Sequence, residues 1–230
     1  TLRGVLNKAG EPASVLDGAS NHRVLLCQSG EASATSFENL VIQNGFSSIL
    51  GGGMYNDESS PHLTDCTFAS NSGGDGGGMY NRLSIPTLTD CAFTNNSVTG
   101  FGSSGGGMYN ESSSPALIGC TFSSNSAELG GGMYNLNDST PTLIDCNFCG
   151  NTTSGSGNRN IEGDIDASSS GNLLLANCNP GDANFDLEIN RGDVIYVVGR
   201  WKAISVLNAD INQDGQVNIG ALVFIRINFD

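Results

Sequence analysis

Two acidic loops near the end of the 230-residue chain hold the residues best suited to chemistry. The stretches DANFDLEINRGD (182–193) and DINQDGQVNIGA (210–221) place oxygen-bearing side chains at alternate positions, and an apolar segment follows each. A hard cation such as Ca²⁺ takes about six to eight oxygen ligands, which a loop supplies from its positions 1, 3, 5, 7, 9 and 12. The pair therefore predicts two calcium loops, each followed by a helix. The alternative is an acidic linker with two helices and no metal.

The two loops do not offer the same set of ligands. The predicted ligands are Asp182, Asn184, Asp186, Glu188, Asn190, Asp193, Asp210, Asn212, Asp214, Gln216 and Asn218. Glu188 and Gln216 would bind through their backbone carbonyls, and Ala221 at position 12 of the second loop offers no oxygen. The first loop has Leu187 where a sharp turn favours glycine. We expect the first loop to be the tighter site, because a divalent cation loses more from a missing carboxylate than from modest backbone strain.

A tandem pair of such loop–helix units resembles a type I dockerin over residues 180–230. Asp193 at position 12 matches that family, and the partner-contacting pairs after position 9 read Arg191-Gly192 and Ile219-Gly220. The resemblance implies calcium as the cofactor and a cohesin-like protein as a partner. Such a partner would attach the chain to a scaffold or surface.

The preceding sequence is a repeat. The string GGGMYN begins at residues 51, 76, 105 and 130, and HLTDCTFASN (62–71) typifies a second string that runs between its copies. Weaker copies at 37–45 and 174–178 extend the repeat to about six turns. The repeat has a period of about 25–30 residues. Within it, Gly, Asn and Pro interrupt the apolar segments, and the apolar residues lack the spacing of a helix, which indicates coils of short β-strands.

The positions within one repeat define the shape of a coil. Cys66 and Phe68 lie two apart and share one face of a strand, whereas Leu63 lies three before Cys66. A bend at Asp65 would bring all three side chains inside. The bend positions are all residues that tolerate a left-handed backbone, namely Asn39, Asp65, Asp90, Gly119, Asp145 and Asn177. We predict a mainly β protein, with a right-handed parallel β-helix of about six coils over residues 1–178 and a small α-helical calcium-loop module over 179–230.

The motif Phe-x-x-Asn, as in Phe68–Asn71, alternates with Gly-Gly-x-aliphatic four times. The pattern resembles the repeat of polymorphic outer-membrane and related bacterial surface proteins over residues 15–178, and those proteins are right-handed β-helices. The resemblance implies an extracellular or cell-surface protein with a structural or adhesive function. A polysaccharide is then a candidate ligand, and exposed tyrosines could stack on its sugar rings or form a ladder that stabilises the coils: Tyr55, Tyr80, Tyr109 and Tyr134.

An enzyme is the alternative. Asp65 and Asp90 lie on adjacent coils, and two carboxylates about 5 Å apart can catalyse glycoside hydrolysis. A polysaccharide lyase or glycoside hydrolase would fit this reading. However, the bend explains every such position, the few cations are scattered, and no nucleophile accompanies His22 or His62. We therefore expect adhesion rather than catalysis.

Composition excludes other classes of function. Acidic residues outnumber basic ones 23 to 9, and the net charge of −14 argues against nucleic acid as a partner. No apolar run approaches the roughly 20 residues that span a bilayer. No signal peptide opens the chain, so we expect a mature or trimmed fragment. The repeated cysteines, such as Cys66, take core positions, so we expect them to be free thiols. In CNFC (146–149) the two cysteines should point to opposite sides of the strand, which argues against a redox pair.

Overall fold

The computed structural model describes residues 1–32, 34–175 and 195–196. These residues form a parallel β-solenoid of about six turns without a helix, which confirms the predicted parallel β-helix repeat. The predicted calcium loops, with all their ligands from Asp182 to Asn218, lie outside the described residues, as does the bend residue Asn177.

Each full coil contains four short strands. The first two coils comprise β1 (Leu2–Arg3), β2 (Ser14–Asp17), β3 (Leu25–Cys27), β4 (Ser36–Glu38), β5 (Leu40–Gln43), β6 (Phe46–Leu50) and β7 (Met54–Asp57). The next two comprise β8 (His62–Thr64), β9 (Thr67–Ala69), β10 (Ser72–Asp75), β11 (Met79–Arg82), β12 (Thr87–Thr89), β13 (Ala92–Thr94), β14 (Ser97–Val98) and β15 (Met108–Glu111). The remaining strands are β16 (Ala116–Ile118), β17 (Thr121–Ser123), β18 (Ser126–Ala127), β19 (Met133–Leu136), β20 (Thr142–Ile144), β21 (Asn147–Cys149), β22 (Thr152–Thr153), β23 (Ile161–Glu162), β24 (Leu173–Leu175) and β25 (Ile195–Tyr196).

Equivalent strands of successive coils pair in four sheets, which we name after their repeated residues. The leucine sheet has the order β1-β4-β8-β12-β16-β20, and the phenylalanine sheet has the order β2-β5-β9-β13-β17-β21-β24-β25. The serine sheet has the order β22-β18-β14-β10-β6, and the tyrosine sheet β23-β19-β15-β11-β7-β3. All pairs are parallel except β24 with β25. Equivalent residues therefore stack directly, as Phe68 does on Phe93.

The predicted apolar ladders form the core. Leucine, cysteine, phenylalanine and methionine side chains of the repeat are at most 1% exposed in the four coils that begin at Leu63, Leu88, Leu117 and Leu143. The phenylalanine rings stack nearly parallel, with the centroids of Phe68 and Phe93 4.7 Å apart. Such continuous stacking buries large apolar surfaces in a narrow coil, and this burial stabilises the solenoid.

The bends have the predicted left-handed backbone. The φ angles at Asn39, Asp65, Asp90 and Asp145 lie between 50° and 56°, and Gly119 has a φ of 64°. A further left-handed corner falls at Gly76, with a φ of 61°, where the chain passes from the serine to the tyrosine sheet. Corner glycine therefore explains part of the GGGMYN string. In the same string, a Cβ at Gly78 would lie 2.9 Å from Phe93 Cδ1, so only glycine lets the coils approach this closely.

Two ladders of asparagine also run through the interior. The first comprises Asn56, Asn81, Asn110 and Asn135, whose side chains donate to one another from coil to coil at 2.8–2.9 Å. Its first oxygen, Asn56 Oδ1, has no hydrogen-bond partner among the residues that the structure describes, and Cys27 stands at the equivalent position of the preceding coil. The second ladder comprises Asn71, Asn96, Asn125 and Asn151, the Asn of each Phe-x-x-Asn motif. Its amides satisfy backbone groups that the corners leave unpaired.

Within the described residues, no helix is long and apolar enough to cross a membrane.

Candidate functional site

The bend carboxylates lie on the outside of the solenoid, between the leucine and phenylalanine sheets. Asp65, Asp90 and Asp145 are exposed, and each serves its bend through a left-handed φ of 50–53°. The Asp90 carboxylate lies over Gly119 of the next coil, in the space that a Cβ there would occupy. The residues that suggested catalysis therefore form an exposed row of hydrogen-bond acceptors, interrupted at Gly119.

Hydroxyl groups flank this row on both sides. From the third coil onward, the outer faces of the leucine and phenylalanine sheets contain no lysine, arginine, aspartate or glutamate within their strands. We call this surface the hydroxyl face, and its hydroxyl residues are Thr64, Thr67, Thr87, Thr89, Thr94, Thr121, Ser123 and Thr142. Adjacent rungs are linked where Ser123 Oγ donates to Thr94 Oγ1 at 3.2 Å. The face can both donate hydrogen bonds to a polar ligand and accept them.

The tyrosine ladder has a different character. The sequence-based expectation that these tyrosines are exposed is wrong for Tyr80 and Tyr109, which are only 4% and 8% exposed. Their rings stack on each other with centroids 4.7 Å apart, so these ring faces are not open to sugars. Tyr55 and Tyr134, at the two ends, are half-buried. The alternative expectation of a ladder between coils agrees with this geometry.

Charged side chains gather beside the tyrosines. Tyr80 donates its hydroxyl proton to Glu111 Oε2 at 2.8 Å, and the Ser104 N–H donates to Asp75 Oδ1 at 2.7 Å. Burial raises the pKa of the Asp75 carboxyl, a shift that the bond from Ser104 opposes and the charge of Glu111 increases. We call Asp75, Tyr80 and Glu111 the acidic corner.

The cations near this corner are already engaged. The Arg82 guanidinium lies 2.6 Å from Asp57 Oδ1, and Arg23 donates to two backbone carbonyls while lying 5.0 Å above the Tyr55 ring. At the other end of the described chain, Arg3 pairs with Glu38. Arg3, Arg23 and Arg82 therefore support the fold rather than forming a cluster that would bind a uronate.

The two histidines lie in different parts of the coil, and Ser36, the register neighbour of His62, donates its hydroxyl to Thr1 Oγ1. His22 is exposed in the turn between β2 and β3, and His62 opens β8 on the leucine sheet. Across the part of the chain that the structure describes, no group of three His, Cys, Asp or Glu could hold a metal ion. The predicted calcium ligands belong to the residues outside this part.

The cysteine ladder is a core element. Cys66, Cys91, Cys120 and Cys146 are buried free thiols, as the two-residue spacing from phenylalanine predicts. Hydrogen bonding to Cys120 and Cys66, together with burial, raises the pKa of Cys91 well above its usual value. Cys149 points to the other side of its strand and is disulfide-bonded, so the CNFC cysteines do not form a dithiol pair.

Sequence reasoning missed two features of this surface, the burial of the central tyrosines and the acidic corner. The corner assembles Asp75, Tyr80 and Glu111 from two coils, and neither acid occupies a repeated position of the motif. Only the identical register of the coils could have indicated that Glu111 lies beside Tyr80.

Comparison with known protein families, with curated proteins and with solved structures finds no match to this chain. The function is therefore inferred from the surfaces themselves.

Proposed function

We propose that the solenoid is an extracellular or cell-surface adhesive module that binds neutral glycans through its hydroxyl face. The observation that supports this proposal is the run of charge-free outer strands that flank the row of exposed bend carboxylates. Carboxylates accept hydrogen bonds from sugar hydroxyls, and threonine and serine both donate and accept. A parallel coil also repeats these groups at about 4.8 Å, which suits a linear polymer better than a compact ligand.

Charge favours a neutral glycan over an acidic one. The chain has a net charge of −14, and the bend row adds exposed carboxylates at the centre of the hydroxyl face. Uronates and sulfated sugars would be repelled by this field, and Arg3, Arg23 and Arg82 are engaged elsewhere.

Attachment would come from the end of the chain. We propose that residues 179–230 form a dockerin-like module that binds Ca²⁺ and holds a cohesin-like partner. For the solenoid itself, we propose right-handed coils, the hand of nearly all crossovers between parallel strands. Calorimetry of the whole chain with Ca²⁺ should give one stronger event, which Asp182→Ala or Asp193→Ala removes. Ala221→Asp should strengthen the weaker event, whereas loss of the stronger event in Asp210→Ala would reverse the ranking of the loops.

A second candidate is a polysaccharide lyase or glycoside hydrolase at the acidic corner. The observation in its favour is the raised pKa of the half-buried Asp75 near the Glu111 carboxylate. Two acids in unequal environments are the usual requirement for general acid–base catalysis of glycoside cleavage. The acceptor role of Asp75 toward the Ser104 N–H also gives it a structural explanation, so binding without cleavage remains our proposal.

Binding and cleavage can be measured together. The whole chain is screened on an array of neutral and acidic polysaccharides, and reducing-sugar release is measured on every polysaccharide that binds. We expect binding to neutral polymers that Thr89→Val and Thr94→Val weaken, because valine keeps the shape but removes the hydroxyl. Thr140→Val, which lies outside the hydroxyl face, is the matched control. Sugar release that Asp75→Asn abolishes while polysaccharide binding persists would instead establish the enzyme.

A further inference from the structure

One coil is longer than its neighbours at a single place. Ser72 and Ser97 pair in register, yet Gly76 follows Ser72 by four positions while Gly105 follows Ser97 by eight. The extra residues leave the serine sheet after Val98 and return at Ser104. We call residues 99–104 the inserted loop.

Both neighbouring coils hold the inserted loop. From one side, Asp75 Oδ1 accepts a hydrogen bond from the Ser104 N–H at 2.7 Å, and from the other side Glu128 Oε2 accepts one from the Gly102 N–H at 2.6 Å. The Glu128 N–H also donates to the Ser103 carbonyl at 3.0 Å. These bonds to charged acceptors fix the loop backbone on the solenoid.

The tip of the loop displays an aromatic ring. Phe101 is fully exposed, at 101% of its reference surface, between Gly100 and Gly102. Both glycines have positive φ, at 131° and 79°, so the tip conformation depends on them. An exposed phenylalanine gives up the stabilisation that burial would provide, and the ring packs against none of the core residues that the structure describes.

The surface beside the loop suits an extended ligand. The outer residues of the serine sheet are small and hydroxylated at Ser72, Ser97 and Ser126, and no strand of this sheet beyond β10 contains a charged residue. Two further exposed apolar side chains, Phe46 and Ile49, lie on the edge strand β6 of the same sheet. Exposed apolar groups therefore lie at the edge of a row of serine hydroxyls on this surface.

We propose that Phe101 is an aromatic subsite beside the serine sheet, which follows the phenylalanine sheet and its part of the hydroxyl face along each coil. One pyranose ring of a bound neutral polysaccharide stacks on this ring. This inference rests on the proposed glycan binding and names a residue for it. The carbon–hydrogen face of a sugar packs on an aromatic ring, while Ser97 and Ser126 lie on the adjoining strands for its hydroxyls. The carboxylates that hold the loop, Asp75 and Glu128, make an anionic membrane an unfavourable occupant.

The test uses the whole chain and the neutral polysaccharides that the wild type binds. Phe101→Ala should weaken binding at least about tenfold, which is typical of losing an aromatic anchor, with no change in thermal midpoint because the ring has no packing to lose. Phe101→Trp should bind as well as the wild type, and its added fluorescence should shift when the polysaccharide is titrated. Ile85→Ala is the control, because Ile85 is another exposed apolar residue, at 64%, and lies in a different part of the coil.

A variant that lacks residues 99–102 restores the four-residue spacing of the neighbouring coil and should also lose binding. Wild-type binding that persists unchanged in Phe101→Ala and in this deletion would overturn the subsite while leaving glycan adhesion in place. Absence of wild-type binding to every polysaccharide would overturn the adhesive function itself. A different outcome is that Phe101→Ala leaves glycan binding intact and loses binding to a protein or to anionic vesicles. That result would assign the ring to another class of partner and overturn the proposal.

Discussion

The Tyr80 hydroxyl donates a 2.8 Å hydrogen bond to Glu111 Oε2, which joins two successive coils on the outside of the tyrosine sheet. Register places Tyr80 opposite Tyr109, so the carboxylate reaches back across a rung to the neighbouring phenol. Burial, followed by the bond to Glu111, raises the pKa of Tyr80 far above its usual value. The protonated phenol is thus part of the folded structure.

Alkaline pH should weaken this link. In the unfolded chain Tyr80 loses its proton near pH 10, whereas the folded chain retains it, so the unfolded state binds fewer protons and gains stability as pH rises. We expect the free energy of unfolding to be constant up to about pH 9 and to fall above about pH 10. Tyr80→Phe should reduce this fall, although it costs about 1 kcal/mol at pH 7 through the lost hydrogen bond.

Urea unfolding at pH 7 and at pH 10.5 measures the effect. Tyr134→Phe, at the half-buried end of the same ladder, is the control for loss of a phenol hydroxyl. Other groups also titrate in this range, because burial raises the pKa of Cys27 to about 11. The comparison is therefore between the wild type and each variant in how steeply the free energy of unfolding falls with pH. Equal alkaline slopes in the wild type and Tyr80→Phe would contradict the assignment.

The bend residues give a second prediction. Asp65 has a φ of 51°, and Asn39 occupies the equivalent bend with a φ of 56°. Asp65→Asn should therefore fold with unchanged stability, while Asp65→Val should lose about 1–2 kcal/mol because a β-branched residue resists a left-handed backbone. Thermal unfolding monitored by circular dichroism compares the two variants. A valine variant as stable as the asparagine variant would show that φ does not select the residue here.

Sequence predicted the coil and its bends well for a physical reason. Leu63, Cys66 and Phe68 are apolar at fixed spacing, and only a left-handed residue at Asp65 allows all three to point inward. Each of these requirements lies within one repeat, so the same residue pattern recurs along the sequence and can be recognised there. The parallel stacking then follows from the constant period.

Sequence could not predict which polar side chains are buried. An inward asparagine is costly unless its amide is satisfied, and the partners of Asn96 lie in the two neighbouring coils. The burial of Tyr80 likewise depends on Tyr109 and Glu111 from the next coil. These contacts exist only once the register between coils is known. The inserted loop was visible as the 29-residue spacing, but the exposure of Phe101 was not.

The thiol ladder gives a third prediction. Cys66, Cys91 and Cys120 are at most 1% exposed and free, so a water-soluble alkylating reagent should not modify them in the native protein. Denaturation without reductant should make all three reactive, since no bond has to be reduced first. Mass spectrometry of peptides from the two states identifies the modified residues. Disulfide-linked peptides that join any two of the three would contradict the ladder of free thiols.

The interior asparagine ladder gives the last prediction. Asn96 Oδ1 accepts from the Asn71 N–H at 3.0 Å, and Asn96 Nδ2 donates to the Phe68 carbonyl at 2.9 Å. Asn96→Ala removes both partners inside a fully buried site, and each orphaned backbone group costs about 1–3 kcal/mol. We expect a loss of about 3 kcal/mol in the free energy of unfolding.

The neighbouring residue offers a matched control. Asn95 is exposed with a φ of 54°, so Asn95→Gly should be neutral or slightly stabilising, because glycine adopts this backbone without strain. Urea unfolding of both variants against the wild type gives the comparison. Asn96→Ala removes inward hydrogen bonds that link three coils, whereas Asn95→Gly changes only an outward side chain at the same corner. If Asn96→Ala cost less than about 1 kcal/mol, water would have to replace the amide in the core, and the ladder would not be what satisfies the corners.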